Sequence, residues 1–122
     1  LEGRVAAALA AVGLDAALAS RSIEALSGGQ QRRVAIAGLL ARRTRVLVLD
    51  EPLAGLDAPS RSALVTLLAE LRERDGLTLI VVTHDPEPLT PVCPRTVRLD
   101  HGRVIGDAVT LSSPRVPQSE AA

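Results

Sequence analysis

Apolar residues in the first third of the chain are spaced as in helices. Residues 2–12 are rich in alanine, with apolar positions on a helical repeat, and Gly13 follows as a stop signal. Residues 15–20 begin with an aspartate in the cap position and can form a second, short helix. Segment 27–30 has the Ser-x-x-Gln spacing of a capping box, and helix-favouring residues continue to about Arg43. Three helices are therefore predicted before the first strand.

Two short apolar runs predict strands. Val46–Leu49 is apolar on both faces, as is typical of a strand buried in a parallel sheet, and Leu77–Val82 is a second such run. Between them, Asp57 can cap a helix that has Pro59 in its first turn and ends at Gly76. That helix carries a stripe of core-facing leucines: Leu64, Leu67, Leu68 and Leu71. This order predicts a right-handed βαβ unit whose polar strand ends share one edge of the sheet, where ligands of open α/β sheets bind.

The last part of the chain predicts a hairpin and a tail. Thr96–Leu99 and Arg103–Ile105 are weaker strand patterns on either side of an Asp-His-Gly turn at 100–102. From Ser112 onward, serine, proline and polar residues predict a frayed tail. The pattern as a whole indicates an α/β chain with parallel strands, flanking helices and a C-terminal β-hairpin.

Composition narrows the class of protein. Hydrophobic residues make up 47% and charged residues 23% of the sequence, the balance of a soluble globular chain. Acidic and basic residues are equal in number, which argues against nucleic acid as a partner. The apolar runs are far shorter than the ~20 residues of a membrane span, so any link to a membrane would go through a partner. The single Cys93 fits a reducing compartment and is interpreted as an apolar filler rather than a nucleophile.

Polar residues that could carry chemistry follow both strands. Asp50 and Glu51 are adjacent carboxylates at the end of an apolar strand, a costly pair unless it serves a metal, a hydrogen-bond network or solvent. In a nucleotide site, Asp50 would hold Mg²⁺ through water, and Glu51 would orient or deprotonate the attacking water. His84 could hydrogen-bond a terminal phosphate or that water. Taken singly, the carboxylates also fit a solvated turn, and the histidine fits a surface residue.

The Ser-Gly-Gly-Gln segment at 27–30 is a second candidate. Two glycines at the start of a helix let backbone N–H groups approach an anion, and the helix dipole favours negative charge there. The alternative is a capping box with a flexible lead-in. Alone, a short glycine-rich element of this kind does not decide between the two.

Taken together, four segments resemble the motifs of ABC ATPases in order and spacing. They are Leu-Ser-Gly-Gly-Gln at 26–30, Leu-Val-Leu-Asp-Glu-Pro at 47–52, Gly-Leu-Asp at 55–57 and Val-Thr-His-Asp at 82–85. The resemblance covers about residues 1–105 and implies a truncated P-loop NTPase (ABC ATPase) fold. It divides the chain into a partial ATPase domain at 1–111, with a helical part at 1–43 and a catalytic-core part at 44–111, and a disordered tail at 112–122. Leu53 departs from the threonine or serine usual in the family.

The resemblance assigns roles to single residues. Asp50 would be the Mg²⁺ ligand, Glu51 the catalytic carboxylate and His84 the switch histidine. Asp57 would belong to the loop that crosses the dimer interface. The signature loop would contact the γ-phosphate of ATP bound to the opposite subunit, through Ser27, Gly28, Gly29 and Gln30. Arg32 and Arg33 are interpreted as packing and salt-bridge residues first and as phosphate sensors second.

The sequences of residues 31–38 and 54–57 are most similar to those of importers of the energy-coupling factor type, which take up cobalt, nickel or vitamins. The resemblance therefore implies ATP and Mg²⁺ as cofactors. As partners it implies a second ATPase subunit, with ATP between the two, and a transmembrane subunit. It places the protein in the cytoplasm, on the inner face of the membrane through that partner, and predicts no nucleic acid partner.

In ABC ATPases the first half of the domain binds the phosphates of ATP, and this sequence lacks the residues of that half. There is no lysine for a P-loop and no aromatic residue to stack on adenine. Because the P-loop supplies most of the phosphate affinity, the chain alone is expected to bind ATP poorly and to be inactive as an ATPase. The helices around residues 27–30 and the two strands are also expected to expose apolar faces that the first half of the domain would cover, which favours aggregation or binding to a partner. Two other interpretations stay open: a non-catalytic module that lends its signature loop to a partner ATPase, and a fragment of a DNA-repair type of ABC ATPase.

Overall fold

A computed structural model of the chain describes residues 2–110, from the first helix to the end of a β-hairpin. Within this range, three short 3₁₀ turns lie between the regular elements, two after the first helix and one after the second strand. In chain order they are helix α1 (Glu2–Ala11), helix α2 (Gly28–Leu40), strand β1 (Val46–Asp50), helix α3 (Ala58–Asp75), strand β2 (Thr78–Val82), strand β3 (Arg95–Asp100) and strand β4 (Arg103–Val109). The predicted α/β class is confirmed.

The predicted caps begin α2 and α3, whereas α2 ends at Leu40, before the predicted end at about Arg43. Ser27 caps α2 in a reciprocal capping box: its hydroxyl accepts from the Gln30 N–H at 3.2 Å, and its own N–H donates to Gln30 Oε1 at 3.0 Å. Asp57 caps α3 by accepting the Ser60 N–H at 2.8 Å. At Gly76 the chain has a φ of 61°, so α3 ends on a residue that adopts the left-handed conformation without cost. The predicted second helix is a 3₁₀ turn, Ala16–Ser20.

Strands β1 and β2 form a two-stranded parallel sheet, so the predicted βαβ unit is present. The register pairs Val46 with Thr78 and Asp50 with Val82. One further bond, from the Glu51 N–H to the Val82 carbonyl at 2.8 Å, extends the pairing just past β1. Residues that follow the two strands therefore emerge side by side at one edge of the sheet.

One hydrophobic core joins the helices to a single face of this sheet. The predicted leucine stripe of α3 lies at its centre, and every member is buried: Leu64, Leu67, Leu68 and Leu71. Leu47 from β1, Ile36 from α2 and Val12 after α1 belong to the same cluster as these leucines. Leu53, where the sequence departs from the ABC pattern, is buried in the same core at 8% exposure. An apolar side chain at that position therefore stabilises the packing.

Within the part of the chain that the structure describes, the two strands are buried on one face only, in agreement with the expectation that they leave apolar faces uncovered. Side chains alternate along a strand, so only Leu47 and Leu49 of β1 face the core. The opposite face is open, and its apolar residues are about half exposed: Val46, Val48, Ile80 and Val82. We call these four residues the open sheet face.

The predicted C-terminal hairpin is present, and both strands are longer than the sequence pattern indicated. Asp100 pairs with Arg103 across a two-residue turn in which His101 has a φ of 47° and Gly102 a φ of 76°. Positive φ at both central residues is the geometry of a tight hairpin turn that matches the twist of the strands. The predicted tail at 112–122 lies outside the described residues. Within residues 2–110, no helix has a stretch long and apolar enough to cross a membrane.

Candidate functional site

Glu51 lies directly after β1, at the carboxyl edge of the parallel sheet. Its backbone has a φ of 46°, a left-handed conformation that is uncommon for residues other than glycine. Because its N–H is still bonded to the Val82 carbonyl, the chain turns at this residue without leaving the sheet. The turn directs the side chain toward the residues that follow β2.

The carboxylate of Glu51 is held by two neighbouring residues from the end of β2. Its Oε1 atom lies 2.7 Å from Nδ1 of the His84 imidazole and accepts the His84 backbone N–H at 2.9 Å. Its Oε2 atom accepts the Thr83 hydroxyl at 3.2 Å. We call Glu51, Thr83 and His84 the carboxylate cluster. The expectation that Glu51 and His84 share one edge of the sheet agrees with this geometry, whereas their catalytic roles stay predictions.

The cluster favours a charged carboxylate. The hydrogen bond from the His84 side chain, helped by the His84 N–H, lowers the pKa of Glu51 from its ordinary value. The same hydrogen bond, together with the negative charge of Glu51, raises the pKa of His84. Both side chains are open to solvent, with 36% of Glu51 and 85% of His84 exposed, so the stabilisation from this pair is modest.

The interaction between Glu51 and His84 should make the stability of the protein depend on pH. The contribution of His84 is fully present below its ordinary pKa of 6.5 and is lost as the pH rises through its raised pKa. That of Glu51 is present above its ordinary pKa of 4.5 and is lost as the pH falls through its lowered pKa. The melting temperature of the wild type should therefore exceed that of His84→Gln most between these two ordinary values. Thermal melts of both proteins across the pH range check this, and a constant difference would contradict it.

Asp50 occupies the last position of β1 with an exposed side chain, and no hydrogen bond or ion pair to it is found among residues 2–110. No group of three or more His, Cys, Asp or Glu side chains in that range could hold a metal ion. A lone free carboxylate still suits Mg²⁺, which takes one or two carboxylates and completes its shell with water and phosphate oxygens. The donor set therefore fits a water-linked ion that is held mainly by a bound nucleotide.

The Ser-Gly-Gly-Gln turn at 27–30 lies beside the start of α3. A Cβ atom added at Gly28 would meet Leu56 at 3.8 Å, and one added at Gly29 would meet Ser60 at 3.5 Å. These are ordinary van der Waals distances, and neither glycine has a positive φ. The packing of residues 2–110 therefore does not itself require glycine at either position.

The Asp57 side chain caps the N-terminus of its own helix, α3. Hydrogen bonding to Ser60 at the start of α3 lowers the pKa of Asp57, as expected for a capping carboxylate. No hydrogen bond within the described residues joins Asp57, Ser27 or Gln30 to the carboxylate cluster. The structure thus brings together Glu51 and His84, whereas Asp57 and the Ser-Gly-Gly-Gln turn at 27–30, which we call the signature turn, lie outside the carboxylate cluster.

Two basic residues of α2 bind backbone rather than carboxylates, which corrects the salt-bridge part of their interpretation as packing and salt-bridge residues. Arg32 donates to the carbonyls of Glu51, Pro52 and Ala54, and Arg33 donates to the carbonyl of Val12 at 3.2 Å. Neither forms an ion pair within the part of the chain that the structure covers. The role of Arg32, like that of Thr83, was missed from the sequence. For Thr83 a signal exists, since it precedes His84 in the same motif.

Comparison with known proteins identifies the family to which the sequence is similar. The ABC transporter family profile matches residues 1–54. An uncharacterized ABC transporter ATP-binding protein of Mycobacterium tuberculosis is 58% identical over 101 residues, which cover 83% of this chain. The chain belongs to the ABC transporter ATP-binding family. An energy-coupling factor transporter ATP-binding protein of Lactiplantibacillus plantarum is 46% identical over 97 residues, 80% of this chain.

Superposition on solved structures of ABC transporter ATP-binding proteins supports the same family. The cbiO1 protein of Clostridium perfringens, described as part of an ABC transporter complex, superposes with a TM-score of 0.80 at 39% identity and covers 88% of this chain. A bacterial ABC transporter cassette solved as a dimer superposes with a TM-score of 0.75 at 33% identity over 91% of this chain. The chain spans only 14% of the mycobacterial relative, 33% of the Lactiplantibacillus relative, 42% of cbiO1 and 47% of the dimeric cassette.

Proposed function

We propose that this chain forms part of an ATP-hydrolysing subunit of an ABC importer and supplies the catalytic carboxylate and the signature loop. The observation that carries the proposal is the carboxylate cluster at the carboxyl edge of the sheet, in a chain of this family. There Glu51 Oε1 lies 2.7 Å from the His84 imidazole. Nucleotide phosphates bind at this edge in parallel α/β folds.

Glu51 is suited to orient the attacking water. Three hydrogen bonds from Thr83 and His84 fix its carboxylate, and its lowered pKa keeps it charged near neutral pH. A carboxylate with a lowered pKa accepts a hydrogen bond from water well but takes its proton poorly. Positioning of the water, rather than its full deprotonation before attack, is therefore the role that this environment favours.

Asp50 would hold a Mg²⁺ ion through water beside the phosphates, and the ion would neutralise charge that develops on them. His84 would complete the site from the second strand. The His84 side chain is 85% exposed. It can therefore contact a phosphate bound at the carboxyl edge of the sheet while it stays hydrogen-bonded to Glu51. Its raised pKa favours the protonated form, which donates hydrogen bonds to anions.

The signature turn would serve a second nucleotide site, on the opposite subunit. Since internal packing leaves room for a side chain at Gly28 and at Gly29, close approach of an external phosphate is the best reason for two glycines there. They begin a helix of 13 residues, whose N-terminal N–H groups and dipole attract an anion. A partner that carries a P-loop would supply that anion as bound ATP. This arrangement requires a dimer of ATPase subunits.

Importer function is supported by the similarity to a phosphonates import and a thiamine import ATP-binding protein, which are 45% and 44% identical to this chain over 101 and 107 residues. A metal ion or vitamin is the cargo that we propose. A transmembrane subunit would provide the pathway and hold the ATPase on the inner face of the membrane. The lack of lysine also favours one alternative, a non-catalytic module that only lends its signature loop to a partner. A direct test distinguishes the two functions.

The test compares the isolated chain with a chimera. In the chimera, residues 1–110 replace the aligned segment of Clostridium perfringens cbiO1, so that the remaining host residues complete the ATPase domain. We expect the isolated chain to bind ATP more weakly than about 1 mM and to show no saturable hydrolysis, because it has no P-loop. The chimera should hydrolyse ATP at a rate near that of the host. Calorimetric titration with ATP and a phosphate-release assay measure both properties.

Each outcome has one interpretation. Saturable hydrolysis by the isolated chain that disappears in Glu51→Gln would overturn the prediction that it is inactive alone. A chimera that folds and binds ATP but does not hydrolyse it would support the non-catalytic module. Circular dichroism of the chimera and the host separates this result from a folding failure.

A further inference from the structure

The side chain of Arg32 contacts the segment that carries Glu51 through several hydrogen bonds. The residue lies in the second turn of α2 and is half-buried. Its Nη1 atom donates to the Glu51 carbonyl at 3.1 Å and to the Pro52 carbonyl, and its Nη2 atom donates to the Ala54 carbonyl. One guanidinium thus binds three carbonyls of the segment 51–54, which we call the 51–54 turn.

The 51–54 turn needs such support. A left-handed conformation at a residue other than glycine costs about 1–2 kcal/mol and persists only where its surroundings hold it. Within the turn and just after it, the bonds are long: Ala54 N to the Glu51 carbonyl is 3.2 Å, and Leu56 N to the Leu53 carbonyl is 3.3 Å. The three bonds from Arg32 therefore provide much of the polar support for the carbonyl side of the turn.

Side-chain packing leaves a gap on this side. A pocket of about 210 Å³ lies between α2, β1 and α3, and its apolar lining includes Ile36, Leu39, Leu49 and Leu64. Arg32, Glu51 and Pro52 also line it. The core joins the three elements on one side of this pocket, and the Arg32 guanidinium bridges α2 to the turn at the pocket itself, where side chains do not fill the space.

We propose that Arg32 is a positioning residue, which fixes the backbone of the 51–54 turn and so aims the Glu51 carboxylate at Thr83 and His84. Arg32 acts through the backbone of Glu51 and not on the reacting atoms. The proposal rests on the proposed function only in that Glu51 is the catalytic carboxylate there. The geometric part, from guanidinium to turn to carboxylate, concerns this chain alone.

Arginine is specifically suited to this task. Its planar guanidinium presents five N–H groups in a fixed fork, which can serve several carbonyls of one turn at once. A lysine at position 32 keeps the charge but carries a single ammonium group on a flexible stem. We therefore expect Arg32→Lys to leave part of the turn unbonded while α2 remains a good helix.

Residue-resolved amide hydrogen exchange of the 122-residue chain tests the proposal without nucleotide. In Arg32→Lys, the amides of Ala54 and His84 should exchange about five- to tenfold faster than in the wild type, since each reports one bond that depends on the turn. The amides of the β1–β2 pair should keep their protection. Arg33→Lys is the matched control, because Arg33 lies on the same helix and binds Val12 instead; there, Ala54 and His84 should exchange as in the wild type.

Other results would overturn the proposal. Unchanged exchange at His84 in a folded Arg32→Lys protein would show that the carboxylate does not depend on Arg32, and Arg32→Gln provides a second, uncharged variant for the same comparison. Unfolding of both variants under conditions where Arg33→Lys is folded would make Arg32 a residue of general stability. Because ATP is absent throughout, a negative result leaves the proposal of ATP hydrolysis intact.

Discussion

Replacing Glu51 by glutamine in the cbiO1 chimera should lower the steady-state rate of ATP hydrolysis by about 100-fold or more, with little change in ATP affinity. Glutamine keeps the size and one carbonyl oxygen of the side chain but loses the charge that Thr83 and His84 hold in place. Without that charge, the attacking water is bound less firmly and its developing positive charge is not balanced. Phosphate release and nucleotide titration, measured on the same preparation, separate the two effects.

Glu73→Gln is the control for this prediction, since Glu73 is an exposed residue of α3 that is not part of the carboxylate cluster. The control should hydrolyse ATP like the parent chimera. A Glu51→Gln chimera that keeps more than about a tenth of the parental rate would remove Glu51 from the catalytic role. A loss of ATP affinity in parallel with the rate would instead indicate a role in binding.

Truncation of Leu68 to alanine should destabilise the chain by about 2–5 kcal/mol, a large share of the ~5–15 kcal/mol that stabilises an ordinary domain. Leu68 is only 1% exposed and lies in the middle of the leucine stripe of α3. The substitution removes buried methyl groups and leaves a cavity that its neighbours, among them Leu64 and Leu71, fill only in part. Urea denaturation followed by circular dichroism measures the change in the free energy of unfolding.

Leu39→Ala is the matched control, because it makes the same chemical change on α2 at a residue that is 38% exposed. Its cost should stay below about 1 kcal/mol, helped by the high helix propensity of alanine. Equal losses for the two variants would mean that α3 does not organise the core in the way that the structure indicates.

The helix caps, the strand pairing and the proximity of Glu51 to His84 could be predicted from the sequence. The caps at Ser27 and Asp57 act over three residues, so their signals are local, and the structure confirms both. The parallel pairing of β1 and β2 also followed from local apolar runs. The proximity of Glu51 and His84, which are far apart in the chain, could be inferred because parallel strands bring their carboxyl ends together.

What was missed depends on tertiary contacts that no local pattern encodes. Val48 and Ile80 are apolar enough for a buried strand, yet residues 2–110 leave them about half exposed, so their hydrophobicity alone does not show which face of the sheet is covered. β4 continues past Ile105 because pairing with β3 stabilises a segment that is weak alone. The reach of Arg32 to three carbonyls depends on where α2 lies relative to the 51–54 turn, which is a property of the packed molecule.

The open sheet face has a consequence for handling the purified chain. Val46, Val48, Ile80 and Val82 present to solvent a contiguous apolar surface, which two copies can shield from water by meeting face to face. The formal net charge of zero at pH 7 supplies no long-range repulsion to keep those copies apart. Dilution, or a buffer well away from the isoelectric point near 6.9, is therefore the direct means of keeping the chain monodisperse.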